Sequence, residues 1–141
     1  MTPEQWATIK HFTPSEFGRP DAMDYEFMVF LDQVRDACAF PFVVTSDART
    51  IAEELAQPVH AIPPESGLHV FDPAQNLWCR AVDLRWLADP TERDTLVAAV
   101  YRVRGQRPTE LELVPFTANA HTHLGLFRTA DHPARLEFSA S

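Results

Sequence analysis

The sequence predicts a small α+β domain, with its helices early in the chain and a mostly antiparallel sheet late. Three observations carry this. Between residues 23 and 40, Phe27, Phe30, Leu31, Val34, Ala37 and Cys38 recur at three- and four-residue steps, the period of an amphipathic helix. The runs 109–116 (TELELVPF) and 121–128 (HTHLGLFR) alternate apolar with polar residues and would pair as antiparallel neighbours. A length of 141 residues suits one domain with a real core and leaves little room for a second, so residues 1–141 are taken as a single unit.

The remaining elements follow in chain order. Residues 3–10 predict a short helix behind Thr2. In Thr13-Pro-Ser-Glu-Phe17, Thr13 caps, Pro14 suits the first helical position and Glu16 completes a capping box. The long helix must stop before Pro41, and 42–45 (FVVT) predicts a short buried strand. Residues 50–56 predict a further short helix, and Gln57 to Gly67, with Pro58, Pro63 and Pro64, predicts loop. Cys79 to Trp86 suits a strand. Asp89-Pro-Thr-Glu92 is a strong helix start, and the helix it opens should run to about Arg104. A weak strand is predicted at 134–138.

Composition excludes several classes of function. The net charge is −8, which disfavours nucleic acid or an anionic membrane as the main partner, since both reward clustered Lys and Arg. No apolar run approaches the roughly 20 residues of a membrane span. The opening MTPEQWATIKHF lacks an apolar h-region and a cleavage site, so cytoplasmic synthesis without a signal peptide is expected. Cys38 and Cys79 do not form a CxxC pair and are expected to be reduced, buried thiols.

The chemistry-bearing residues are histidines and one aspartate. His121 and His123 stand at i and i+2 in a predicted strand, which sends both side chains to one face. Imidazole is a preferred zinc ligand, and a strand places it rigidly. The same spacing also suits two surface or cross-strand histidines. Asp83 sits among apolar residues, where a carboxylate needs a partner or a metal, unless it caps a turn at a strand end. His11, His60 and His132 are read as packing, capping or loop residues. Trp78 and Trp86 flank Asp83 and are read first as packing residues.

Taken in order, three blocks resemble the zinc peptidoglycan peptidases of the D-Ala-D-Ala carboxypeptidase and L-alanyl-D-glutamate endopeptidase group. That group includes phage endolysins and shares the hedgehog/DD-peptidase fold. The first block is His11-Phe-Thr-Pro-Ser-Glu-Phe17, followed by a long helix and Phe42-Val-Val-Thr-Ser-Asp-Ala-Arg49. The second is Gly67-Leu-His69-Val-Phe with Cys79-Arg-Ala-Val-Asp83-Leu, and the third is Ala120-His-Thr-His123-Leu. The resemblance implies zinc held by His69, Asp83 and His123, with a fourth position open for catalysis. It also implies that Arg49 binds a substrate carboxylate, that Ser46 shapes that corner, and that His121 acts beside the metal as base or electrophilic stabiliser. The implied reaction is hydrolysis of an amide bond in a peptidoglycan stem peptide. A phage or prophage origin is expected, with action at the cell wall through lysis or as a virion component alongside other phage proteins.

Four departures from the family pattern shape the rival readings. Thirteen residues separate His69 from Asp83, more than the family spacing, so an insertion is expected at about Asp72 to Trp78. Asp72 is then an alternative to Asp83 as the carboxylate ligand. Cys79 stands where the family has glycine, and Ser66 lies one residue further from His69 than the family serine does. The acidic residue that precedes the last ligand in many members is missing from Phe116-Thr-Ala-Asn-Ala120. Glu110 and Glu112 are the nearest carboxylates; they share one strand face, which could reach the metal but is expected rather to look to solvent. The principal alternative is therefore a structural or binding module that kept the fold, for example a virion component. A zinc hydrolase acting on some other amide is the third reading.

Overall fold

The computed structural model describes residues 1–85, 87–105, 109–116, 121–129 and 132–137. Among these it is an α+β unit with a mostly antiparallel five-stranded sheet, as the pattern predicts. The helices are α1 (Pro3–Trp6), α2 (Tyr25–Ala37), α3 (Ile51–Leu55) and α4 (Pro90–Arg104). The strands are β1 (Val44–Ser46), β2 (Ala81–Arg85), β3 (Leu111–Phe116), β4 (His121–Leu126) and β5 (Arg135–Leu136), in the sheet order β1-β2-β4-β3-β5. Neighbours run antiparallel except for β3 and β5, which are parallel. No helix among the described residues is long and apolar enough to cross a membrane.

Helix boundaries follow the caps. Asp24 accepts the Phe27 N–H at 2.9 Å and opens α2. Asp89 accepts the Thr91 N–H at 2.8 Å and opens α4, which ends at Gly105 with φ at 90°. Each cap satisfies N–H groups that the first turn leaves unpaired. The capping box at Thr13 forms as expected, with Glu16 accepting the Thr13 N–H at 2.7 Å, but it opens only a 3-10 turn.

The sheet has two unlike faces because strand side chains alternate. Val82, Leu84, Leu111, Leu113, Leu124 and Leu126 form one face and are fully or almost fully buried. They share a core with Phe27, Leu31 and Val34 of α2 and Leu96 and Val100 of α4. Each such side chain contributes about 1.5–3 kcal/mol of transfer free energy. The opposite face carries Asp83, His121, His123 and Glu112, as the pairings Asp83↔His123 and Glu112↔Gly125 require.

Two strands differ from expectation. The strand predicted at 42–45 is displaced to Val44–Ser46 and forms a half-exposed edge rather than a buried strand. The cause is Phe42, which leaves the sheet to pack on Phe12 at 6.4 Å and is itself buried. The weak strand predicted at 134–138 is found at Arg135–Leu136 and is exposed there; residue 138 lies outside the described residues. Cys38 and Cys79 are free and buried, as expected. Trp86 lies outside the described residues; Trp78 is half-buried and donates from its indole to Asn76.

Candidate metal centre

His69, Asp83 and His123 come from three separate places in the chain and meet in a buried group. Asp83 and His123 are direct cross-strand partners on β2 and β4, so the sheet register itself sets them face to face. His69 arrives on a loop, and three devices hold that loop. Arg49 N–H donates to the His69 carbonyl at 2.8 Å, and Phe71 N–H donates back to the Arg49 carbonyl at 2.9 Å. Arg128, just beyond β4, donates to the carbonyls of Gly67 and Val70 at 3.0 Å each and of Trp78 at 2.6 Å. Gly125 lets Leu68 pack against β4, since a Cβ there would lie 2.9 Å from the Leu68 side chain.

The geometry of the insertion determines which carboxylate meets the two histidines. Asp72 and Leu77 exchange backbone hydrogen bonds at 2.8 and 3.0 Å, so the segment closes on itself and returns the chain beside its starting point. Asp72 is spent within it: its carboxylate accepts from Ala74 N at 3.2 Å and Gln75 Nε2 at 2.7 Å. The carboxylate that joins the two histidines is that of Asp83.

The donor atoms are defined individually. His69 Nε2 lies 3.2 Å from His123 Nδ1 and 3.3 Å from Asp83 Oδ1, and His123 Nδ1 lies 3.3 Å from that same oxygen. The three atoms form a nearly equilateral triangle, and the group could hold a metal ion. The outward nitrogens are also engaged. His69 Nδ1 is 2.7 Å from the Asp47 carbonyl, which must accept its proton and so leaves Nε2 with a lone pair. His123 Nε2 is 2.5 Å from Glu112 Oε1.

Electrostatics favour a cation. Burial raises the Asp83 carboxyl, but the His123 and His69 rings packed against it outweigh burial and hold the group well below the usual carboxylate range. Burial likewise opposes charge on His123, yet the Asp83 and Glu112 carboxylates overcome it and raise its pKa. Glu112 is lowered on balance, its burial offset by His123 and by Arg135 at 3.4 Å.

A cavity of about 570 Å³ opens above the group, lined by Arg49, Glu54, His60 and Arg135 as well as the three donors and His121. His121 Nε2 lies 3.6 Å from Asp83 Oδ1, so the i, i+2 spacing does bring both histidines to one site. Arg49 is present at the rim, 3.9 Å from Asp83 Oδ2 and paired with buried Glu54 at 3.0 Å. Ser46 contributes through its backbone, opposite Asp83 in the β1–β2 register, and is not among the residues lining the cavity.

The expectation that Glu110 and Glu112 look to solvent is corrected. Glu110 has a left-handed backbone, φ 65°, just before β3, and its carboxylate turns to Arg104 at 3.2 Å. Glu112 is inside the strand and reaches His123. Sequence reasoning also missed Glu54 and Arg128; Arg128 closely follows the His-x-His strand, but nothing in the pattern shows which carbonyls it would meet. His11 pairs with Asp36 at 2.8 Å and His132 stacks on Phe127, both away from the centre. No family model, curated protein or solved structure matches the chain.

Proposed function

We propose that the chain is a zinc-dependent peptidase of phage or prophage origin that hydrolyses an amide bond in peptidoglycan stem peptides. One observation carries the reading: two imidazoles and one carboxylate present donor atoms 3.2–3.3 Å apart on the floor of an open cavity. Ligands at zinc's usual bond lengths of about 2.0–2.1 Å stand roughly 3.4 Å apart on a tetrahedron, which fits this triangle. Two His and one carboxylate match a catalytic ligand set, which would leave a fourth position for water or substrate.

Zinc held there supplies Lewis-acid polarisation of a carbonyl and a water whose pKa falls to about 7. The protein's own groups supply the rest. His121, on the cavity wall, takes a proton from the attacking water or donates to the scissile oxygen as charge develops there, help worth about 10²–10⁴-fold. Arg49 presents its guanidinium at the rim for a substrate carboxylate, and Glu54 fixes its orientation.

The experiment is incubation of the zinc-loaded protein with purified peptidoglycan. New amino groups should appear, and His121→Ala should lower their rate by roughly 100-fold or more. A second reading, a non-catalytic virion or binding module, is favoured by one feature. Among the described residues lining the cavity the carboxylates are Asp83 and Glu54, and Glu54 is committed to Arg49. A zinc-loaded protein that releases no amino groups supports that module.

A further inference from the structure

We infer that Glu112 is the positioning residue that aims His123 at the metal. This rests on the zinc reading above and extends it to a residue that the ligand pattern does not contain.

The argument starts from which nitrogen faces where. Nδ1 of His123 faces both His69 Nε2 and Asp83 Oδ1, at 3.2 and 3.3 Å, while Nε2 faces Glu112 Oε1 at 2.5 Å. A neutral imidazole has one N–H and one lone pair, so an acceptor at Nε2 places the lone pair on Nδ1, toward the other two donors. A carboxylate in that place also strengthens the ligand it holds.

The sheet explains how Glu112 reaches His123. Its cross-strand partner is Gly125, two residues from His123 on the same face of β4. From there the carboxylate reaches along the diagonal to the ring, a separation that long side chains span. The β5 partner of Glu112 is Arg135, which holds the carboxylate at 3.4 Å and is itself held by Glu137 at 3.1 Å. The Glu112 side chain is only 13 % exposed, so its charge is weakly screened.

The two histidines are oriented unequally. His69 leans on a neutral carbonyl, whereas His123 leans on a charge. Glu112 adds a second carboxylate beside the donor group, its charge shared with Arg135. The parallel β3–β5 pairing thereby acquires a role, since it delivers the arginine that fixes Glu112.

The test uses zinc affinity, measured by chelator competition with zinc chloride, for the wild-type chain, Glu112→Gln and Glu112→Leu. Glu112→Gln keeps an acceptor without the charge and should bind about 10-fold more weakly; Glu112→Leu should approach 100-fold. In the zinc-loaded wild type, ¹⁵N NMR of His123 should show the proton on Nε2 and the metal on Nδ1. Wild-type-like affinity in both variants, or zinc on Nε2, overturns the inference, and the NMR result decides alone if a variant does not fold. A wild-type chain that binds no zinc removes the zinc reading and this inference together. A wild type that binds zinc beside unaffected variants removes only the role of Glu112.

Discussion

Replacing Arg128 by leucine would keep the side chain's bulk and remove the clamp that ties the His69 loop to the end of β4. Three hydrogen bonds go with it, to the carbonyls of Gly67, Val70 and Trp78. A hydrogen bond involving a charged group is worth about 1.5–3 kcal/mol net, so three at the low end come to roughly 4–5 kcal/mol. Two effects reduce this. Burial depresses the arginine's own pKa, so leucine relieves a desolvation penalty, and the Gly67 carbonyl keeps its bond from Val70 N–H at 3.1 Å. The expected loss is about 3 kcal/mol, a large share of the 5–15 kcal/mol typical of a domain. Urea unfolding of the metal-free protein, followed by circular dichroism, measures it, with Arg102→Leu on the exposed side of α4 as a control expected to fall within about 0.5 kcal/mol of wild type. Zinc affinity should fall as well, because the loop carrying His69 is then less preorganised. A loss below about 1 kcal/mol, with unchanged zinc affinity, would refute the idea that Arg128 organises this loop.

Three further outcomes are expected. Asp83→Ala should weaken zinc binding by more than about 100-fold, beyond the range seen for outer-shell changes, and Asp72→Ala should leave it unaltered; the reverse pattern in a chelator competition would overturn the ligand set. Burial pushes the Cys38 thiol up to about 11 and Cys79 up to about 12, so neither should react appreciably with a thiol reagent at about pH 8 until urea is added. Rapid native-state labelling would contradict the packing described around them. The Thr50 backbone N–H and Arg19 hold the Glu53 carboxyl down at about 2, against about 4.3 in an unfolded chain. The unfolded state therefore binds more protons, and this contribution is full above about pH 4.3 and lost as pH falls toward about 2. Glu53→Gln should destabilise at about pH 6 and differ progressively less from wild type below about pH 4; a difference that holds constant with pH would refute the assignment.

What could be read from sequence was what short-range chemistry controls. Asp89 caps α4 as its sequence predicts, because a carboxylate beside free N–H groups needs no tertiary contact to be favourable. His121 and His123 share a face because the strand period is two. The rest depended on contacts between distant segments. Phe42 was pulled from its strand by Phe12, thirty residues earlier in the chain, so β1 moved to the sheet edge. Glu110 and Glu112 obey the same alternation, yet the left-handed backbone at Glu110 sends it to Arg104 while Glu112 continues to His123. Alternation establishes that residues share a face but not which face looks to solvent; in this sheet the apolar surface on α2 and α4 decides that. The thirteen residues between His69 and Asp83 looked like an obstacle to a shared site. The closed turn from Asp72 to Leu77 removes it, because the ends of that turn meet.

The most direct test of the central claim is the metal content of the purified chain, measured beside His123→Ala after both are reconstituted with zinc and dialysed. The account predicts about one zinc per wild-type chain and a loss of tight binding in the variant. A wild-type chain without zinc after reconstitution would contradict it, as would a His123→Ala chain that retains the ion.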